Sequence, residues 1–249
     1  MLRACPGPLP DLAGWEPVFE SNAVWRLYQR DGQWAVQLSS PVPGPYRVAV
    51  FSSGFLTGQI HSTAAEAAAS QGRFALEYPL AEILMIHLLA RGRGLLVHAC
   101  AVRDGEDGVL FAGTSGAGKS TMARLWQEHT GATLLSDDRV ILREHDDDFW
   151  IYGTPWHGDA GAASPERAPL RRIFILSHGR ETRAVPLSQA QASAALLVRS
   201  FPTYWDPPGM EFSVRLLSRL SQATPVYTLE FTPDRDVIGY VRGFGEPRT

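Results

Sequence analysis

The densest chemistry in the chain lies in the run Gly113-Thr114-Ser115-Gly116-Ala117-Gly118-Lys119-Ser120-Thr121. Gly113, Gly118, Lys119 and Ser120 satisfy the pattern G-x-x-x-x-G-K-[ST], placed between a short apolar stretch and a stretch of helical periodicity. Glycines at these positions let successive amide N–H groups turn inward toward phosphate oxygens, and the positive end of the following helix adds to the same field. Lys119 would reach the β- and γ-phosphates as a compact point charge, and Ser120 would offer its hydroxyl to Mg²⁺. Lys119 is the only lysine in the chain, every other basic residue being arginine. A guanidinium fork does not fit the space of an ammonium in such a cradle, so lysine is retained where the exchange is forbidden.

Carboxylates follow at Asp137-Asp138, after the strand-like "ATLLS". At the end of a strand beside the phosphate crevice, one carboxylate can hold the metal while the other takes a proton from an incoming hydroxyl. His98, in "LLVHACAV", hydrogen-bonds Asp137 if its side chain faces the crevice and packs into the core if it does not. The segment "GTPWHGD" presents Trp156 and His157 between bends, which makes them candidates for contact with a substrate, or else a packed corner.

These residues need a frame. "GLLVHACAV" and "GVLFAG", separated by "RDGEDG", read as an antiparallel hairpin whose second strand runs into the glycine loop; that makes the sheet mixed rather than all parallel. Ser120 to His129 reads as a helix, and "ATLLSDD", "RVILRE", "FWIYG", "RRIFILS" and "PVYTLEF" as strands, with "HDDD" a solvated hairpin tip. "LSQAQASAALLVRS", "GMEFSVRLLSRLSQ" and a segment from about Asp234 carry helical periodicity. Upstream, "VWRLYQ", "WAVQL" and "YRVAVF" form a β-rich lobe in which Trp15, Trp25 and Trp34 serve the core. "YPLAEILMIHLLA" is apolar nearly all round and reads as a buried helix with His87 in the core. The expected division is an N-terminal lobe over 1–76 and an α/β domain over 77–249.

Length and composition agree. A chain of 249 residues, 45% hydrophobic and 20% charged, can bury one large core with a smaller lobe. A net charge of -3 and a pI of about 6.2 give no footprint for nucleic acid or an anionic membrane. Cys5, near an end expected to fray, and Cys100, in an apolar strand, do not make a disulfide framework or a thiolate metal site. Pro6 interrupts the N-terminus before an apolar targeting segment can form, so the expected location is cytoplasmic.

In order along the chain, "VHACAV", "GTSGAGKST" and "LLSDD" resemble the HPr kinase/phosphorylase group and its shorter relatives, within the phosphoenolpyruvate carboxykinase-like fold. The resemblance covers about Gly94 to Ile175. It implies a mixed-sheet P-loop domain beside a small β-rich lobe. For the site it implies Asp137 as general base, His98 as the partner of that carboxylate, Lys119 on the phosphates, Ser120 on Mg²⁺ and Asp138 near the metal. Thr121 stands where these kinases tend to be acidic, Ala99 follows the histidine in place of glycine, and "GTPWHGD" stands near the place of their later glycine-rich signature. The expected activity is therefore ATP- and Mg²⁺-dependent phosphorylation of a serine hydroxyl on a peptide or small protein, such as a ribosomal peptide natural-product precursor. A small-molecule hydroxyl kinase and a non-catalytic ATP-sensing module are the alternatives. Homo-oligomer formation is left open.

Overall fold

The computed structural model describes residues 1–22, 24–41, 44–69 and 76–244. The chain forms two compact units, Met1–Leu88 and Leu89–Thr249, each mixed α/β.

The first unit holds strands β1 (Leu2–Pro6), β2 (Glu16–Ser21), β3 (Trp25–Arg30), β4 (Gln33–Ser39), β5 (Pro45–Phe51) and β6 (Gly58–Ser62), helix α1 (Ala64–Ala69), and all but the last residue of α2 (Leu80–Leu89). Its strands form one sheet in the order β1-β6-β5-β4-β3-β2, antiparallel except for the parallel pair of β1 with β6. Cys5 therefore lies in a paired strand, opposite His61, and not in a frayed end. The stretch "LRACP" lacks alternation, so only its distant partner makes it a strand. The boundary at Leu88 falls later than 76/77 because His87 stacks on Phe55, ring centroids 4.0 Å apart, and lies 5.7 Å from Trp34. Residues 70–75, just before the expected boundary, lie outside the described residues.

The second unit contains β7 (Leu95–Asp104), β8 (Asp107–Ala112), α3 (Lys119–His129), β9 (Thr133–Ser136), β10 (Arg139–His145), β11 (Asp148–Tyr152), β12 (Arg167–His178), β13 (Arg183–Pro186), α4 (Gln189–Leu197), α5 (Pro207–Ala223), β14 (Val226–Phe231) and α6 (Asp236–Gly243). The sheet runs β11-β10-β7-β8-β12-β14-β13, with β9 also paired to β7. The β7–β8 hairpin is antiparallel, whereas β8, β12 and β14 are mutually parallel, so the sheet is mixed.

Alternation along β7 divides the core in two. Leu95, Val97, Ala99 and Ala101 pack with Leu196 of α4 and Leu216, Leu217 and Leu220 of α5. Cys100 and Val102 pack on the other face with Met122 and Trp126 of α3 and Val237 and Val241 of α6. The sheet thus lies between two helical layers, the arrangement that buries both of its faces. Parallel pairing brings the C-terminal ends of β8, β12 and β14 to one edge, where β8 leads directly into the glycine loop.

Candidate active site

Between β8 and α3 the loop turns through Gly116 and Gly118, at φ +80° and +100°. Gly118 caps α3 in the left-handed region, and a Cβ there would sit 2.7 Å from the Phe231 ring. Side chains other than glycine are thus opposed by both backbone strain and a packed aromatic at the end of β14. Lys119 is buried, and its ammonium donates to the carbonyls of Gly113 (2.9 Å) and Thr114 (3.0 Å). Burial lowers its pKa, the nearby Asp138 carboxylate opposes the shift, and the field of Arg199 adds to it. Ser120 and Thr121 follow on the first turn of α3, half-buried. From β12, His178 Nε2 lies 2.5 Å from the carbonyl of Gly116.

The carboxylates do not end a strand. They interrupt one. β9 pairs antiparallel to β7 with Ser136 opposite Ala101, and β10 resumes the same course with Arg139 opposite His98. Ser136, wholly buried, makes the break: its Oγ accepts from the amides of Asp138 (3.2 Å) and Arg139 (3.1 Å) and donates to the carbonyl of Trp156 (3.0 Å). This local side-chain-to-backbone bonding bends the chain between the two strands, while Ala99 N still donates to Asp138 O (3.0 Å).

The break sends the two carboxylates to different partners. Asp138 Oδ1 meets His98 Nε2 at 3.2 Å, and its Oδ2 meets the guanidinium of Arg139. The hydrogen bond from His98 is the main reason the Asp138 carboxyl titrates below the ordinary carboxylate range, with Arg139 contributing and burial opposing. Asp137, which the sequence reading pairs with His98, instead faces the loop after β11. Its Oδ1 accepts from the amides of Gly158 (2.8 Å) and Ala162 (3.3 Å), and its Oδ2 from that of Ala160 (2.7 Å). Glycine eases this approach, since a Cβ at Gly158 would lie 3.0 Å from Asp137 Oδ2.

A cavity of about 380 Å³ joins these parts, lined by His98, Ser115, Gly116, Gly118, Lys119, Ser120, Thr121, Asp137, Asp138, Gly158 and Asp159. The structure thus brings the loop, the histidine and both aspartates together. Gly113, Thr114 and Ala117 serve as its frame: Gly113 and Thr114 receive Lys119, and Ala117 packs into the core. Trp156 and His157 are not among the lining residues. Trp156 offers its backbone carbonyl to Ser136 and Thr154, and His157 is exposed. The same segment reaches the cavity through its next two residues, because it is Gly158 that Asp137 holds.

Sequence reading missed Ser136, His178, Asp159, Phe201 and Arg199. Ser136 sits in the quoted "LLSDD" and carried a turn signal. Asp159 ends the quoted "GTPWHGD", and the rest carried none, since they arrive from distant segments. Phe201 lies 6.5 Å from the His98 ring, and the Arg139 guanidinium lies 5.2 Å from the centre of its face.

Among the described residues, no group of three or more His, Cys, Asp or Glu side chains is placed to hold a metal by itself. Hard oxygen donors are present at Ser120 and Asp138, which both line the cavity. That set fits Mg²⁺, which is commonly held by one or two protein oxygens together with substrate phosphates.

No curated protein matches this chain. Among solved structures, a HPr(Ser) kinase/phosphatase from Coxiella burnetii is similar at a TM-score of 0.34 and 14% identity, over 59% of this chain and 85% of that one. A family profile, SynChlorMet cassette protein ScmC, matches residues 76–230, a span that contains the whole cavity. On that match, the chain belongs to the ScmC family.

Proposed function

We propose that the second unit is an HPr kinase-like, ATP- and Mg²⁺-dependent kinase that phosphorylates a serine hydroxyl of a peptide or small protein. The observation that carries the reading is the single cavity in which a glycine loop with its lysine faces a histidine-bonded carboxylate. Amides of Ser115 to Ser120 and the ammonium of Lys119 receive the phosphates. To do so Lys119 exchanges two carbonyl partners for phosphate oxygens, which also offsets the desolvation that lowers its pKa. Mg²⁺ would be held by Ser120 together with the substrate phosphates, near the aspartate pair, and would neutralise phosphate charge.

The geometry favours Asp138 over Asp137 as the base. Asp138 is partly exposed and oriented by His98 and Arg139, whereas Asp137 is buried with three loop amides on its oxygens. Asp138 would take the proton of the acceptor hydroxyl as that oxygen bonds to the γ-phosphorus. The bond from the γ-phosphorus to the bridging oxygen breaks, and ADP leaves with the electron pair. Proton transfer of this kind supplies about 10²–10⁴ in rate. The remaining acceleration comes from position and fixed charge.

The test uses γ-labelled ATP with serine-containing peptides and with lysate from the source organism. Lys119→Ala should abolish transfer, and Asp138→Asn should reduce it by about 10²–10⁴ while nucleotide still binds. Calorimetry showing no uptake of Mg-ATP by the wild-type protein, or full transfer by Lys119→Ala, would refute the reading.

A further inference from the structure

The first unit carries a groove of about 700 Å³ on one face of its sheet. Read across neighbouring strands, from β1 through β6, β5 and β4 to β3, that face presents Arg3, Gln59, Val50, Gln33 and Arg30 in turn. Register makes the row. Arg3 pairs with Gln59, Gln59 with Val50, and Val50 with Ala35; Gln33 lies two residues from Ala35 and pairs with Arg30, so all five side chains share a face. The connection between β1 and β2 forms a wall through Pro10, Asp11 and Trp15. It is pinned by bonds from Gly7 N to Ser62 O (2.9 Å), Ala13 N to Asp11 Oδ1 (2.9 Å) and Trp15 N to Leu12 O (3.1 Å).

The two ends of the row are cationic and open to solvent. Among the described residues neither Arg3 nor Arg30 has a carboxylate partner, although the chain as a whole has a net charge of -3. The Arg30 guanidinium lies 4.6 Å from the centre of the buried Trp15 ring, a contact that occupies its face and leaves its N–H edges free. Asp11, the acid among the lining residues, already accepts the Ala13 amide. Gln59 Oε1 lies 3.2 Å from His61 Nε2, so the Gln59 amide keeps both of its N–H donors. Midway along the row the half-buried Val50 gives the floor an apolar centre.

We infer that this groove binds an acidic peptide segment in extended form, with one carboxylate on Arg3 and another on Arg30. Strands lie about 4.8 Å apart, so the four steps from β1 to β3 separate the two arginines by roughly 19 Å. An extended chain, at about 3.3 Å per residue, covers that distance in about six residues. Its side chains alternate, so acids at i and i+6 face the same way, with i+2 and i+4 toward Val50. Gln33 and Gln59 each offer a donor and an acceptor, which matches the amides of a peptide backbone. A nucleic acid strand carries a charge at every nucleotide and would meet cations only at the two ends, so the charge pattern favours a peptide. The inference stands apart from the kinase reading, whose residues all lie in the second unit.

The experiment titrates acetyl-Glu-Asn-Leu-Asn-Leu-Asn-Glu-amide into the full chain by calorimetry, beside the same peptide ended by Gln or by Lys and an oligothymidylate of about eight nucleotides. Wild type should bind the Glu-ended peptide at least about tenfold more tightly than the Gln-ended one, and the Lys-ended one more weakly than either. Raising salt from about 50 mM to about 500 mM should weaken the Glu-ended peptide at least about threefold. Arg3→Gln and Arg30→Gln should each lose about tenfold, as expected for removal of one charge-assisted hydrogen bond. Arg3 is exposed and makes no polar side-chain contact among the described residues, so Arg3→Gln should keep the wild-type melting temperature and isolates the effect on binding. Equal affinity for the Glu-ended and Gln-ended peptides, no uptake at about 1 mM, or variants that match wild type would overturn the inference. Tighter binding of the oligothymidylate, weakened by the same variants, would assign the groove to nucleic acid and overturn it as well.

Discussion

Asp137 and Asp138 are neighbours in sequence with different surroundings, and the difference separates their roles. Asp138 has a charged or hydrogen-bonded partner on each oxygen, and its pKa is depressed. A depressed carboxyl pKa contributes stability that is present above the ordinary value of about 3.9 and is lost as pH falls through the lowered folded value. The melting-temperature gap between wild type and Asp138→Asn should therefore hold steady from neutral pH to about pH 5 and close below about pH 4. A gap that persists undiminished at lower pH would show that Asp138 stabilises through neutral contacts. Asp137→Asn turns an amide N–H toward three backbone donors, so it should cost about 1–3 kcal/mol in denaturant unfolding. In transfer assays it should act mainly on acceptor KM through the 158–162 loop, while Asp138→Asn acts on kcat. Gly118→Ala places a methyl against Phe231 at a left-handed φ and should weaken Mg-ATP binding at least tenfold by titration.

At the scale of elements, the site depends on one strand being broken in the right place. If β9 continued regularly into β10, alternation would send the Asp138 side chain to the opposite face of the sheet from His98. Ser136 prevents this by accepting the Asp138 and Arg139 amides, which bends the chain between β9 and β10. Ser136→Ala should lower unfolding stability by about 1–3 kcal/mol and also reduce kcat, because the turn that presents Asp138 relaxes. Ser136→Thr, which keeps the oxygen, should recover part of both. The neighbouring loop is tied into the same turn through the Trp156 carbonyl, so "GTPWHGD" contributes backbone and position rather than its aromatic side chain. Helix α4 is fixed at its start by a capping box at Ser188 and Gln191, which sets where its last turn releases Arg199 beside His98.

Over the whole molecule, every cavity residue belongs to the second unit, and no helix among the described residues is long and apolar enough to cross a membrane. Removing a core ring from the first unit tests whether the site needs that unit's stability. Phe55→Ala, which deletes the ring under His87, should cost about 3–5 kcal/mol while leaving Mg-ATP affinity at 10 °C within about twofold. The hairpin before the glycine loop, the helix after it and the loop itself were legible because their signals are local: periodicity, turn residues and a motif whose spacing is its geometry. The candidate set of Lys119, Ser120, His98, Asp137 and Asp138 was legible for the same reason. Local signals could not say that β1 would pair with β6 or that α2 would pack into the first unit, since each depends on a partner far along the chain. Nor could they say which aspartate meets His98. That choice was made by Ser136 and by the amides of Gly158, Ala160 and Ala162, and Phe201 came beside the His98 ring only because residues 199–201 lie down beside β7. Sequence alone determined which chemical groups are present and how near neighbours are spaced. Tertiary structure decided which of them face one another, because hydrogen-bond partners are set by register and strand crossing, which bring together residues with no periodic relation in the chain.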